Sequence, residues 1–260
     1  FDFTFAILQA GTDVYRRAYD NGQRDIAGVY LAVGRGSATV DHNLLENRFR
    51  GGRDSLDAFS VGGYWTRMGE SDWYLDGVLQ GTWYDIEMNA GRGLQPGKTG
   101  AFGFAASLEG GYPFELENGL RIEPQAQLVY QTIGISSFND GAADVRYRDA
   151  DSLAGRIGLR LSRSWTIDES SEDGAQRQFT LWGRADLWHE FLGTPVTEFS
   201  SAGGFLPFTT DFGESWVKLG IGGNYELDDN VVLYGNVNYD AALRGKSHAW
   251  EGKVGLKVLW

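Results

Sequence analysis

The chain has 260 residues, 23 Lys+Arg against 35 Asp+Glu, and a formal net charge of −12, a balance that argues against a nucleic-acid partner, because phosphate contacts need a basic face. It has no cysteine and three histidines far apart in sequence (His42, His189, His248), so a disulfide framework, a thiolate nucleophile and a histidine-rich metal centre are excluded and no cofactor is expected. The 37 Gly come with 9 Trp, 12 Tyr and 15 Phe, a composition that marks a folded chain rather than a disordered one.

Apolar and polar residues alternate through most of the chain, the period of a strand with one face apolar and one polar. Phe3–Arg16 carries Gln9 and Asp13 on its polar side, and Ile26–Val40 and Leu56–Met68 follow with weaker alternation. Trp73–Asp85 sets Trp73, Leu75, Leu79 and Trp83 against Asp76, Gln80 and Thr82. Ala101–Phe114 sets Phe102, Phe104, Leu108, Tyr112 and Phe114 against Ser107 and Glu109. In Leu120–Thr132 the polar stripe is Arg121, Glu123, Gln125, Gln127 and Gln131; in Ser152–Trp165 it holds Arg156 and Arg160. Gln178–Phe191 adds Arg184, Asp186 and Glu190, and Ser215–Leu227 adds Lys218, Asn224 and Glu226. Val231–Leu243 contributes Asn236, Asn238 and Asp240. The last segment, His248–Trp260, is the clearest: Trp250, Val254, Leu256, Val258 and Trp260 face away from Glu251, Lys253 and Lys257.

These eleven segments of ten or more residues exceed the usual strand length of soluble sheets. No apolar run approaches the roughly 18 residues of a transmembrane helix. A strand of ten residues at ~3.4 Å, tilted about 40°, rises ~26 Å, the height of the apolar band of an outer-membrane barrel. Aromatic residues also crowd the segment ends, as interfacial girdles do. The expected fold is therefore all-β, an antiparallel up-and-down transmembrane β-barrel occupying 1–260 as a single domain. A soluble sandwich is the alternative, and it would bury Val254, Leu256, Ile221 and Leu159 between two layers.

Connections alternate in length. Arg17–Asp25, Gly69–Asp72, Glu115–Gly119 and Asp228–Asn230 are short, whereas Asp41–Ser55, Ile86–Gly100, Ile133–Asp151 and Leu192–Glu214 are long. Thr166–Arg177 and Arg244–Ser247 break the rule. Short turns lie at the periplasmic end of such barrels, which places the C-terminus there. An odd number of strands leaves unpaired backbone groups facing hydrocarbon, so a twelfth strand ahead of Phe1 is expected.

Several blocks resemble the translocator domain of pertactin-type (type Va) autotransporters. They are Ser60–Thr66, Trp73–Gln80, Ala106–Phe114, Ile122–Leu128, Leu153–Arg160, His189–Phe191 and the terminal Trp260. The resemblance implies a twelve-stranded barrel in a Gram-negative outer membrane, about eleven strands of which lie in this chain, the first strand and a linker helix being absent. It also implies a role in type V secretion or surface display of an N-terminal passenger domain. Outer-membrane lipid, the passenger with its linker, and the barrel assembly machinery are the implied partners. The machinery would read Trp250, Val254, Leu256, Val258 and Trp260 as the assembly signal.

The candidate lumen-lining residues are Gln9, Asp13, Asp76, Gln80, Glu109, Glu123, Gln125, Gln127, Arg156, Arg160, Arg184, Asp186, Glu190, Lys218, Asn236, Asn238, Asp240, Glu251, Lys253 and Lys257. Both signs are interspersed, so the wall stays wet without strong ionic selectivity. One alternative is a self-cleaving translocator, in which lumenal acids activate a linker asparagine; Glu109 and Asp76 are then the candidate groups. Another is a simple porin or adhesin, with the aromatic loop Leu192–Glu214 (Phe199, Phe205, Leu206, Phe208, Phe212) as a contact or as a flap over the mouth. The loop Ile133–Asp151, with Asp140, Asp144, Asp149 and Asp151, is expected to be a solvated acidic loop rather than a calcium site.

Overall fold

A computed structural model describes residues 2–258 apart from 45–46, 91–96, 140–142, 149, 168–176, 202, 210–214, 229 and 246. Every regular element in the described residues is a strand. In chain order they are β1 (Asp2–Ala18), β2 (Arg24–Leu44), β3 (Asn47–Met68), β4 (Tyr74–Ala90), β5 (Gly97–Gly111), β6 (Phe114–Glu115), β7 (Leu120–Ile135), β8 (Phe138–Asn139) and β9 (Asp144–Arg148). They continue with β10 (Asp151–Ile167), β11 (Arg177–Glu190), β12 (Val196–Ser201), β13 (Gly204–Thr209), β14 (Ser215–Asp228), β15 (Val231–Ala242) and β16 (His248–Val258).

The main sheet runs β1-β2-β3-β4-β5-β7-β10-β11-β14-β15-β16, each strand antiparallel to its neighbour in sequence, with β6 a short addition to β7. Eleven long strands therefore meander through one sheet. Among the described residues no ladder joins β1 to β16. A second, four-stranded sheet has the order β13-β12-β9-β8.

Period-two alternation becomes a two-sided wall. On one face large apolar side chains stand exposed: Val254 at 82%, Ile221 at 59%, Leu256 at 58% and Leu159 at 43%. A sandwich would have buried these four, so that alternative fails. The buried residues of the main sheet are instead mostly polar, among them Ser60, Thr82, Glu123, Gln125, Arg156, Asp186, Glu190 and Asn238. On this face side chains reach past a neighbouring strand to the next but one: Tyr64 to Asp13, Tyr30 to Gln80, Arg156 to Glu109 and Arg184 to Asn238. Such reach requires side chains to converge, so the polar face is the concave one.

Three hairpins at one end share a local design. In Tyr19–Gln23, Gly69–Trp73 and Leu116–Leu120 the fourth residue has positive φ (Gly22 at 80°, Asp72 at 56°, Gly119 at 74°). Its N–H donates to the carbonyl of the first (3.0, 3.1 and 2.9 Å). Glycine suits this left-handed position because it has no Cβ, and Asp is among the few side chains that tolerate it.

At the other end the strands outrun their expected limits. Asp41–Ser55 and Ile86–Gly100 were expected as loops, but β2 and β3 pair as far as Leu44 and Asn47, and β4 and β5 pair as far as Met88 and Gly97. Backbone pairing continues there because nothing in those stretches forces a turn until the hairpin tip. The two longest excursions, Ile133–Asp151 and Leu192–Glu214, also gain structure by pairing with each other, Thr197 opposite Tyr147 and Phe199 opposite Val145. The expected acidic loop is thus in part a strand, with Asp144 accepting a hydrogen bond from Asn139 (2.7 Å) and donating its N–H to Ser200 (2.7 Å). Asp140, Asp149 and Phe212 lie outside the described residues.

Candidate functional site: the polar inner face

Cross-strand register assembles the polar stripes into rows. In one row, Asp76 is opposite Glu109, Glu109 opposite Gln127, and Gln127 opposite Arg156. A second runs Gln125, Gly158, Asp186, Lys218, Asp240. A third runs Glu123, Arg160, Arg184, Gly220, Asn238, Glu251. Asn236 stands opposite Lys253, Lys257 opposite Val232, Gln80 opposite Gly62, Glu190 opposite Ala154, Gln9 opposite Ala32 and Asp13 opposite Gly28. All the candidate wall residues therefore share this face.

The densest part is a run of charged and polar contacts reaching from β4 to β16. Arg156, with 1% of its side chain exposed, contacts Asp186 at 3.1 Å (0% exposed) and Glu109 at 2.9 Å, and donates to Gln125 Oε1 at 3.2 Å. Arg184 lies 3.4 Å from Asp186 and donates to Asn238 at 3.2 Å. Lys218 bridges Asp240 at 3.4 Å and Glu251 at 3.2 Å. Tyr74 donates to Glu109 at 2.6 Å. Buried charges persist only when paired in this way. The two carboxylates singled out for self-cleavage chemistry, Asp76 and Glu109, do come together. Each is also held by a hydroxyl: Thr66 donates to Asp76 and Tyr74 to Glu109. They line a cavity of about 440 Å³ with Tyr74, Arg121, Glu123 and Arg160.

Tyrosines are the part of the face that alternation alone did not single out. Tyr30 lies across Gly62, Tyr64 across Gly28, Tyr74 across Gly111 and Tyr234 across Gly255, each in the space a Cβ would occupy. Each pair stands directly opposite in the ladder. A tyrosine and a glycine on the polar stripe of adjacent segments were the available signal, readable only once register is known.

The second sheet covers the far end of this face. Val145 is 3% exposed, the ring of Phe138 lies against Gly97 and stacks at 6.5 Å on Tyr147. Tyr147 feels the charge of Asp54 on β3; burial, and then that charge, raise its phenol pKa above the usual value. Burial likewise raises the Asp54 carboxyl. On the other side of the sheet Arg146 and Arg148 clamp the buried Glu198, and Arg146 lies 3.6 Å over the Phe205 ring. The base of this arm is tied by Glu190, whose carboxylate accepts from the Ser152 hydroxyl (2.6 Å) and the N–H groups of Leu153, Leu192 and Gly193 (2.8, 3.0 and 3.2 Å). A cavity of about 390 Å³ remains between Gly193 and Pro195 and the inner-face residues Gln80, Thr82, Tyr84 and Gln131.

The opposite face of β16 presents Trp250, Val254, Leu256 and Val258, all exposed; Trp260 lies outside the described residues.

The family model described as "Autotransporter beta-domain" matches residues 1–238. The adhesin BmaC autotransporter of Brucella suis biovar 1 is 31% identical over 242 residues, covering 90% of this chain and 7% of that protein. The chain thus spans a small part of the relative it matches. Among solved structures, the transport unit of the autotransporter AIDA-I from Escherichia coli superposes with a TM-score of 0.82 at 18% identity, covering 99% of this chain and 83% of the other. The β domain of the Bordetella autotransporter BrkA gives 0.73 at 23% identity, with 99% and 91% covered.

Proposed function

The chain belongs to the autotransporter β-domain family, whose members are outer-membrane barrels, and from that premise we propose that it is the translocator of a larger surface protein. It sits in the outer membrane with its apolar face against lipid. Its polar face lines a hydrophilic lumen through which an upstream passenger domain is secreted or displayed. The short hairpins and the C-terminus face the periplasm, the long hairpins and the second sheet face outward, and the exposed apolar stripe of β16 is read by the barrel assembly machinery.

One observation carries this reading: a single antiparallel sheet exposes its apolar stripe on the convex side and holds a charge network on the concave side. An inner wall that carries both signs, many of them in ion pairs, suits passage of a polypeptide better than a pocket with a few convergent groups. The test is to express the full-length protein in a Gram-negative host and follow the passenger by protease treatment of intact cells. Protease-sensitive passenger on the wild-type cells is expected. Replacing Val254, Leu256 and Val258 together by Asn should trap the protein in the periplasm. Surface passenger at wild-type level in that variant overturns the role given to β16, and a passenger retained inside wild-type cells overturns the translocator reading.

A further inference from the structure

His189 and Ser215 stand directly opposite each other across the β11–β14 ladder. The Ser215 carbonyl accepts from the Leu243 N–H at 2.9 Å, so its backbone is turned toward β15. Opposite His189 it therefore forms a pair without mutual backbone bonds, the kind whose side chains approach closest. The result is a contact of 2.9 Å between His189 Nδ1 and Ser215 Oγ. The imidazole is braced on its other side. Gly155 is opposite His189 on β10, and the Phe191 ring lies where a Cβ of Gly155 would stand. That ring meets the imidazole edge-on at 4.7 Å, and the Phe191 N–H donates to the Leu153 carbonyl at 2.8 Å.

The pair lies on the convex face, in alternation with Leu187 and Phe191, and beside Leu243. These three are 43%, 57% and 58% exposed. Polar groups set into a lipid-facing apolar surface are costly, and an exposed hydrogen bond returns little to the fold. β14 opens at Ser215 and β15 closes at Ala242, so the contact occupies the last rung of the wall at the end proposed to face outward. That rung is at the edge of the hydrocarbon, the depth at which the ester carbonyls of acylated lipids lie.

We propose that Ser215 and His189 are the nucleophile and base of an esterase site that cleaves fatty-acyl esters of membrane lipids. Ser215 Oγ attacks the ester carbonyl carbon while its proton passes to His189 Nδ1. The bond from that carbon to the alkoxy oxygen breaks, and the alcohol leaves with the proton. Water then attacks the acyl-serine and gives a proton to His189, which returns it to Ser215 Oγ as the fatty acid departs. Leu187 and Leu243 offer the acyl chain an apolar bed. Access to lipid rests on the outer-membrane placement proposed above, whereas the reactivity of the serine does not.

The test uses the full-length protein, purified in detergent, with a fluorophosphonate as the first probe. Peptide mass spectrometry should find Ser215 phosphonylated, and His189→Ala should slow that labelling at least about a hundredfold. Ser215 left unlabelled, or labelled equally fast without His189, overturns the proposal. The second arm places the protein in vesicles of phosphatidylethanolamine or of ester-acylated lipid A and measures released fatty acid. Release from either vesicle, lost in Ser215→Ala, supports the site and identifies its lipid. Release from neither, or release undiminished in Ser215→Ala, overturns it. His248→Asn should match the wild type in both arms, and a loss there instead assigns the base to His248 and overturns the pairing. Ser215→Ala should still display its passenger at wild-type level, so a failed esterase assay and a failed translocator assay are told apart.

Discussion

Tyr30 and Gly62 face each other across the β2–β3 ladder, and the phenol ring lies over the glycine's bare α-carbon. From there its hydroxyl donates to Gln80 Oε1 at 2.7 Å, one strand further on. A methyl at position 62 would overlap the ring, so Gly62→Ala forces Tyr30 off the wall and breaks that bond. Overpacking of this kind costs typically 1–3 kcal/mol. The expected result is a lower unfolding midpoint for Gly62→Ala, largely restored by adding Tyr30→Ala. A midpoint unchanged in the single variant would contradict the contact.

Arg156 joins Glu109, Gln125 and Asp186 from a fully buried position. Removing one member of a buried ion pair leaves the other uncompensated, at about 3–5 kcal/mol. Arg156→Met should therefore destabilise the barrel strongly, and Arg156→Met/Asp186→Asn less than the single change. Urea unfolding of the refolded protein checks this, and equal losses in both variants would show that the two charges are not coupled.

The hairpin turns offer opposite substitutions. Gly119→Ala puts a Cβ on a residue with φ of 74° and should cost roughly 1–2 kcal/mol. Asp72→Gly relieves a φ of 56° but releases the 3.6 Å contact with Arg121, so its stability should change by less than about 1 kcal/mol.

Asp54 on β3 lies close enough to Tyr147 of β9 for its charge to raise that phenol. Burial raises the Asp54 carboxyl, so its buried position is most favourable while that group is protonated. The stability it contributes is present below the ordinary value of 3.8 and is lost as pH rises through the elevated folded value. Asp54→Asn should flatten that acid-side dependence and hold the sheet more firmly at neutral pH. Because the chain has no cysteine, Asp54→Cys/Tyr147→Cys can be joined by a short cleavable thiol crosslinker. Crosslinked protein in a planar bilayer should conduct less than the cleaved form, and equal conductance would show that the sheet does not obstruct the mouth.

Much of this was legible in the residues. A stripe such as Glu123, Gln125, Gln127 has only one side to occupy on a strand, so alternation alone put it beside Arg156 and Arg160 once neighbouring segments were paired in sequence order. The second sheet was not legible. Val145 pairs with Phe199 across a long stretch of chain, and β9 has only five residues, too short for a periodic signal. Strand ends are hard to read for a related reason: the alternation of Ile26–Val40 and Leu56–Met68 is weak and stops short of Asp41–Ser55, whereas backbone pairing, which needs no alternation, continues to Leu44 and Asn47. The tyrosine–glycine contacts needed register, which no single segment contains.

Glycines on the concave side also govern calibre. Where a side chain is missing, a neighbouring ring can lie flush with the wall instead of projecting from it, as at Gly28, Gly62, Gly111 and Gly255. In the lumen proposed above, clearance would thus be set by the smallest residues rather than the largest. A single added methyl at one of them would swing an aromatic ring inward and constrict the bore while leaving its charge untouched.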